Sequence, residues 1–306
     1  MTDYISILGP TATGKTELAI SLALHAPIEV ISVDSVSVYK GLDIGSAKPT
    51  LEEQKGVPHH LIDVVSLNEL FTVSDFVKST SQLISEIKAR GNMPVLCGGT
   101  MMYAHSFIGG FDQLPQVPRE VVLELQQQAE RKGHQLMHEL LKSVDPSSAS
   151  TIKINDMQRV IRALSVYKYT GRSMSSYHTK PIRPKYKGAN FFITVEDRAA
   201  HRALLSARIA KMFDQGWVDE VLQLRDEYGD KINTHPVMKS VGYRQILAND
   251  CEQLTTSCVR QQIVNHSAQL VKKQMTWIKN WKNDYVFKGA KNECAQLILE
   301  SRYFST

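Results

Sequence analysis

Apolar and polar positions change period several times along the chain, and each change predicts an element. Tyr4 to Leu8 is a short apolar run rich in β-prone residues, closed by Gly9 and Pro10. Lys15 to His25 then puts Leu18, Ala19 and Leu22 on one helical face, and Ile28 to Val33 is a second strand whose carboxyl end delivers Asp34. Strand, tight glycine turn, helix and strand make a βαβ unit, which predicts a parallel sheet covered on both faces. A further strand is expected over His60 to Val65. Thr72 predicts the cap of a helix over Val73 to Arg90, stopped by Gly91 in a left-handed conformation. Pro94 to Cys97 returns as a strand into Gly98, Gly99 and Thr100, which open another helix.

Beyond Gly110 the period changes. Leu114 to Gly188 carries no strand pattern and predicts helices separated by Gly133, Pro146 and Gly171, with a turn at Asp145 to Ser148 and an exit from Lys180 to Gly188. Phe191 to Val195 is one more apolar strand, followed by helical sequence to about Lys282. The expected organisation is an α/β core begun by residues 1–110, a helical insertion over 111–188, and a mainly helical return to the core over 189–306.

Composition sharpens this picture little until charge is partitioned. No apolar run reaches the roughly 18 residues of a membrane span. Met1 to Leu8 holds Asp3 and no basic residue, unlike a secretory signal. A cytoplasmic protein with no membrane partner, and a monomer, is expected. Cys97, Cys251, Cys258 and Cys294 offer no metal-binding pair, and reduced thiols are expected. The net charge of +5 conceals +8 over Thr151 to Asn190, +6 over Val259 to Lys291 and −9 in the remainder. Two basic patches on an otherwise acidic chain suit a polyanion such as nucleic acid, with solvated helix faces as the alternative.

Candidate chemistry gathers at strand ends. Gly9, Pro10, Thr11, Ala12, Thr13, Gly14, Lys15 and Thr16 fit the phosphate-loop spacing between a strand and a helix, the context that supports the motif over an ordinary glycine turn. Lys15 would meet a terminal phosphate, and the Thr16 hydroxyl would ligate Mg²⁺. The core is therefore expected to be a P-loop NTPase-like parallel sheet flanked by helices. Asp34 ends the second strand, where it could place Mg²⁺ or take a proton, or simply cap a turn with Ser35. Gly98, Gly99 and Thr100 offer a second anion contact or a plain strand-to-helix turn. On the helix Asn155 to Thr170, Met157, Val160, Ile161, Leu164 and Tyr167 form an apolar stripe, leaving Gln158, Arg159, Arg162 and Tyr169 as a cationic or merely solvated face. Trp277, Trp281 and Tyr285 are read as a packing stripe.

With these motifs in order, the sequence resembles the tRNA dimethylallyltransferases, also called tRNA isopentenyltransferases, from Ile7 to about Trp281. The resemblance rests on GPTATGKT (Gly9 to Thr16), ISVDSVSVYKGLDIGSAKP (Ile31 to Pro49), GVPHHLID (Gly56 to Asp63) and CGGTMMYAHSFIGGF (Cys97 to Phe111). It continues through NDMQRVIRALSVYKYTG (Asn155 to Gly171), MKSVGYRQ (Met238 to Gln245) and QLVKKQMTW (Gln269 to Trp277). It implies transfer of a dimethylallyl group from dimethylallyl diphosphate to N6 of adenosine 37, in the anticodon stem-loop of tRNAs reading codons that begin with U. Carried over by position, Gly9 to Thr16 hold the diphosphate, Thr16 lies near Mg²⁺, Asp34 is the base, and Thr100 lies near the bridging oxygen, with Lys15 beside them. Asp34, Ser35, Val36 and Ser37 fall on tRNA-contacting stretches, as do Gln158, Arg159, Val160, Ile161 and Arg162. Met238, Lys239, Ser240, Val241, Gly242 and Tyr243 form the third stretch. The chain departs from the family pattern at Val36 and Ser37, at Val122 and at Ala268, where some tRNA contacts are expected to be rerouted. The competing expectation is a P-loop nucleotide kinase, or an adenylate isopentenyltransferase acting on free nucleotide, and a third is an RNA-binding module without catalysis. The insertion and its +8 favour tRNA, and Asp34 with Thr100 favours catalysis.

Overall fold

A computed structural model describes residues 2–110, 114–177, 185–249, 257–281 and 291–300. The first elements follow the apolar runs: β1 (Tyr4–Leu8), α1 (Lys15–Leu22) and β2 (Ile28–Val33), then α2 (Leu51–Gln54), β3 (His59–His60), α3 (Val73–Ala89), β4 (Met93–Gly98) and α4 (Met101–Gly109). α3 opens on the expected Thr72, whose hydroxyl accepts from the Asp75 amide while the Asp75 carboxylate accepts from the Thr72 amide. β3 is far shorter than the His60 to Val65 strand the pattern predicted. Leu61 (φ 60°) and Asp63 (φ 56°) are left-handed, so the backbone leaves the extended region, and Val65 makes only an isolated bridge to Tyr39.

The insertion contains α5 (Arg119–Val144), α6 (Pro146–Thr151) and α7 (Met157–Thr170), with a 3-10 turn at Met174–Tyr177. Gly133 interrupts α5 with φ 77° and ψ 168°, as its position in the sequence suggested. The stripe of Val160, Ile161, Ala163 and Leu164 on α7 packs against Leu125, Ala129, Met137 and Leu141 of α5. Asp145 is buried and caps α6 through the Ser148 amide and hydroxyl. The same carboxylate accepts from the Ser175 amide (2.9 Å) and hydroxyl (2.6 Å), which pins the segment after α7 to the start of α6.

The chain then forms β5 (Gly188–Phe192), α8 (Arg198–Asp214), α9 (Trp217–Tyr228), α10 (Lys231–Thr234), α11 (Tyr243–Leu247), α12 (Ser257–Asn280) and α13 (Lys291–Glu300). β5 begins three residues before the expected Phe191 because Tyr4 pairs with Gly188 and sets the register. Residues 1–108 and 184–306 form one compact unit, and 109–183 form another. Lys180 to Pro184, at the expected exit of the insertion, lie outside the described residues.

All strand pairs are parallel, in the order β3-β2-β4-β1-β5. β4 therefore separates β1 from β2, the two strands that α1 connects. α1 and α13 cover one face through Leu18, Leu22 and Ile298; α3, α4 and the end of α12 cover the other through Phe76, Ile84, Tyr103, Phe107 and Ile278. A third cluster joins the segment after β2, including Val38, Tyr39 and Leu42, to α8, α9, α11 and α12.

The amino ends of the strands are held by one buried carboxylate. Glu29, 3% exposed on β2, accepts two bonds from Arg90 (2.8 and 2.7 Å), one from Asn92 (2.8 Å) and one from His60 (2.6 Å). The Arg90 bond, with help from Asn92 and His60, holds this carboxyl down from 4.5 to about 2, against the opposing effect of burial. A depressed folded-state pKa stabilises the fold above about pH 4.5 and is lost as pH falls towards 2, a swing of about 3 kcal/mol. Denaturant unfolding of the wild type should thus lose that much more stability between pH 4.5 and 2 than Glu29→Gln does. Equal acid slopes would contradict the staple.

Candidate active site

Three neighbouring strands deliver the candidate chemistry to one edge. The register sets Leu8 of β1 and Val33 of β2 on either side of Gly98 of β4. At the usual strand spacing, the phosphate-loop entry and Asp34 stand about 10 Å apart across β4. The Gly9 amide donates to the Gly98 carbonyl (3.3 Å), and the Thr100 amide donates to the Val33 carbonyl (3.0 Å). Gly98 is required here, because a Cβ at this position would stand 2.2 Å from the Val33 carbonyl oxygen.

The Gly9 to Thr16 loop turns from β1 into α1, with Gly14 left-handed at the cap. The Lys15 ammonium donates to the Pro10 carbonyl (2.5 Å), which also accepts from the Thr13 hydroxyl (2.8 Å). Burial lowers the Lys15 pKa to about 8, and nearby Arg208 adds to the effect while Cys97 and Asp34 oppose it. Thr16 lies half-buried in the first turn of α1, at the positive end of the helix dipole.

Asp34 caps the turn that follows β2. Its Oδ1 accepts from the amides of Val36 (2.7 Å) and Ser37 (3.1 Å), a capped turn. No hydrogen bond to Oδ2 is found among the described residues. The Thr100 hydroxyl accepts from the Ser35 amide (3.1 Å), tying the residue after Asp34 to the glycine loop. Lys15, Asp34 and Thr100 are thus brought together at one sheet edge, as their strand-end positions predicted.

Helix α8 adds two residues that sequence reasoning missed. Arg208 is half-buried and close enough to Lys15 and Asp34 to act on both electrostatically. Burial lowers the pKa of its guanidinium, with Asp34 opposing. Seven residues earlier on the same helix, His201 is buried, bonds the Thr11 backbone, and has its pKa lowered by burial. Residues almost two hundred positions from the loop carry no local signal; the cue available in the sequence was Arg and His recurring on one helical face.

The stretches expected to meet tRNA divide into exposed and buried side chains. On α7, Gln158 and Arg159 are exposed, Val160 and Ile161 lie in the core, and the half-buried Arg162 donates to the Pro115 carbonyl (3.2 Å). Further along the insertion, Arg172 lies 4.7 Å above the Tyr177 ring. Lys239 is exposed and Ser240 and Val241 are half-buried, but Met238 and Tyr243 are core residues and Gly242 is buried. Glu220 on α9 holds this region: it accepts from the amides of Asp43, Ile44 and Gly45 and from the Tyr243 hydroxyl (2.7 Å). Val122, on α5, and Ala268, on α12, are both half-buried, and Ser37 is buried.

Lys272, Lys273 and Lys279 are exposed along α12, whereas Lys180, Arg183, Lys282 and Lys288 of the two basic patches lie outside the described residues. Trp277 and Trp281 both meet His105 edge-on, and Trp281 also packs on Phe192, so the packing reading holds for this pair; Tyr285 is outside the described residues. Among the described residues no group of three or more His, Cys, Asp or Glu side chains is arranged to hold a metal ion. No helix among them is long and apolar enough to cross a membrane.

Comparison with known proteins adds what the geometry alone does not name. The family model described as IPP transferase matches residues 37–281, which begins just after Asp34. The chain is 40% identical over 300 residues to a tRNA dimethylallyltransferase of Paraburkholderia xenovorans, covering 96% of this chain and 95% of that one. It is 38% identical over 276 residues to a tRNA dimethylallyltransferase of Legionella pneumophila, covering 90% and 88%. Among solved structures, a tRNA isopentenylpyrophosphate transferase of Bacillus halodurans superposes with a TM-score of 0.68 at 31% identity, covering 97% and 96%. A eukaryotic dimethylallyltransferase acting on tRNA shares the fold, with a TM-score of 0.77 at 24% identity over 97% and 77%.

The Lys15 environment has a measurable consequence. An anion held by this loop favours the ammonium form, so affinity is full below the free pKa of about 8 and declines as pH rises through it. Calorimetric titration with inorganic diphosphate from pH 7 to 10 should show that decline, and Lys15→Gln should bind weakly with the step removed. A step of the same size in Lys15→Gln would assign it to another group.

Proposed function

The chain belongs to the IPP transferase family, and we propose that it moves a dimethylallyl group from dimethylallyl diphosphate to N6 of adenosine 37 in tRNAs reading codons that begin with U. The observation that carries this reading is the juxtaposition, on three neighbouring strand ends, of the phosphate loop, Thr100 and a carboxylate whose Oδ2 has no hydrogen bond among the described residues. Phosphate binding alone requires no base, whereas prenyl transfer to an exocyclic amine does.

An adenine amine is a weak nucleophile, so placement and proton removal govern the rate. In the proposed reaction the N6 lone pair forms a bond to C1 of the dimethylallyl group as the C1–O bond breaks. The diphosphate leaves with that electron pair, and Asp34 Oδ2 takes the N6 proton. Amides of the Gly9 to Thr16 loop, with Lys15 and Arg208, meet the charge that develops on the leaving diphosphate. Thr100 stands between the loop and Asp34, where the bridging oxygen would lie. The target base must leave the stack of the anticodon loop to reach this edge.

The donor set also suits Mg²⁺. A hard cation that keeps several waters and binds substrate phosphates needs only one or two protein oxygens, and the Thr16 hydroxyl at the head of α1 is such a donor. When bound, Mg²⁺ would neutralise charge on the diphosphate.

In the insertion the exposed Gln158 and Arg159 of α7, and in the core the exposed Lys239 and the outward lysines of α12, each support contact with the anticodon stem-loop. Val160, Ile161, Met238 and Tyr243 serve those contacts by shaping the backbone from the core. The helical insertion is the proposed tRNA-binding domain, and the enzyme would act as a cytoplasmic monomer.

Incubation with dimethylallyl diphosphate, Mg²⁺ and unmodified tRNA, followed by nucleoside mass analysis, should yield N6-dimethylallyladenosine at position 37. Transfer to free AMP without transfer to tRNA would replace this reading with an adenylate isopentenyltransferase. Asp34→Ala should reduce turnover about 10²- to 10⁴-fold, the scale of a general base, with tRNA binding retained; unchanged turnover would remove Asp34 from the chemistry. Arg159→Ala should weaken tRNA binding and lower the slope of log K against log salt by about one contact's worth. A slope equal to that of the wild type would count against a phosphate contact there.

A further inference from the structure

Helix α12 buries Val264, Val271 and Ile278 at helical spacing, and Gln274 occupies the same inward stripe. Its neighbours Lys272 and Lys273 are exposed, while Gln274 is only 7% exposed. A leucine there would bury apolar surface without polar atoms to satisfy. An unpaired amide would instead carry the cost of its desolvation. Both ends of this amide are paired, and both partners belong to the candidate active site. Oε1 accepts from the Thr11 amide of the phosphate loop (3.3 Å), and Nε2 donates to the Gly99 carbonyl (2.8 Å).

We infer that Gln274 is a positioning residue that sets the spacing between the phosphate loop and the Gly98–Thr100 loop. Its partners fix the amide's orientation, since the flipped amide would oppose donor to donor at Thr11 and acceptor to acceptor at Gly99. A planar group of fixed width thus bridges the two loops. The approach is close enough that a Cβ on residue 99 would stand 2.7 Å from Nε2. From Gly99 the bridge continues through Thr100, whose hydroxyl accepts from the Ser35 amide, to the turn that Asp34 caps. Gln274 also occupies the Thr11 amide, leaving the later amides of the loop to face phosphate. It acts through these backbone groups and touches no reacting atom. The inference rests on the prenyl-transfer reading only for its kinetic readout, because the bridge itself is geometric.

The test compares full-length wild type with Gln274→Leu, which keeps the volume and loses both bonds. Gln274→Asn, one methylene too short to span both partners, is the second variant if the first fails to fold. Misplacing a leaving group slightly is expensive, so the KM for dimethylallyl diphosphate should rise and kcat should fall, each by roughly tenfold. The Kd for tRNA should remain within about twofold of wild type, a split that general destabilisation would not produce. Inorganic diphosphate should bind the variant roughly tenfold more weakly in calorimetry, a readout independent of any transfer to tRNA. A folded variant with wild-type kcat, KM and diphosphate affinity would overturn the bridge. A wild type that transfers nothing to tRNA, yet binds diphosphate tenfold better than the variant, would retain the bridge and overturn the assigned reaction.

Discussion

Everything at the working edge depends on how closely β2 and β4 approach at Gly98. With a Cβ there, the Val33 carbonyl would be met at 2.2 Å, and the Thr100 amide could not take its place on that carbonyl. Without that bond, the Thr100 hydroxyl would lose its position under the Ser35 amide. The turn carrying Asp34 would then lose its tie to the glycine loop. Gly98 also receives the Gly9 amide from the opposite side. One missing side chain on the central strand therefore couples the base, the phosphate loop and the glycine loop.

The parts of this edge that lie within single strand–turn–helix units were legible in the sequence. Gly9 to Thr16 and Asp34 declare themselves by spacing, because a phosphate loop and a strand end are local constructions. Thr72 and Gly133 likewise announced a cap and a break, and the structure has both. What escaped was non-local. Arg208 and Gln274 meet the site, and Glu220 meets the amides of Asp43 to Gly45, from helices more than 170 residues away in sequence, and nothing near them says which loop they will meet. The His60 to Val65 strand failed for a different reason: the apolar pattern is that of a strand, but Leu61 and Asp63 adopt left-handed backbone that no side-chain pattern encodes.

Charge organises the molecule differently from chemistry. Some acidic side chains act as clips on backbone amides and hydroxyls, with the half-buried Glu220 gathering three successive amides and the buried Asp145 holding two serines. The basic residues of α7 and α12 that are described mostly face outward instead. Those outward cations are available to an external polyanion. Lys15 and Arg208 are drawn inward instead, and burial lowers the pKa of both.

The strand order has a consequence for synthesis of the chain. β1 is made long before either of its two partners: Ile5 awaits Val95, and Tyr4 awaits Gly188. At translation speeds of about 5–20 residues per second, one side of β1 lacks its partner for on the order of ten seconds or longer. During that interval it is an apolar strand with an open edge, the kind of surface that recruits other chains. The insertion is made within this interval and has a core of its own, in Leu125, Met137, Leu141 and Leu164. It can therefore fold as a closed lobe without drawing on β1, leaving that edge for β5 alone. Nascent-chain vulnerability is thus concentrated in the five residues of β1, and it ends only when β5 has been made.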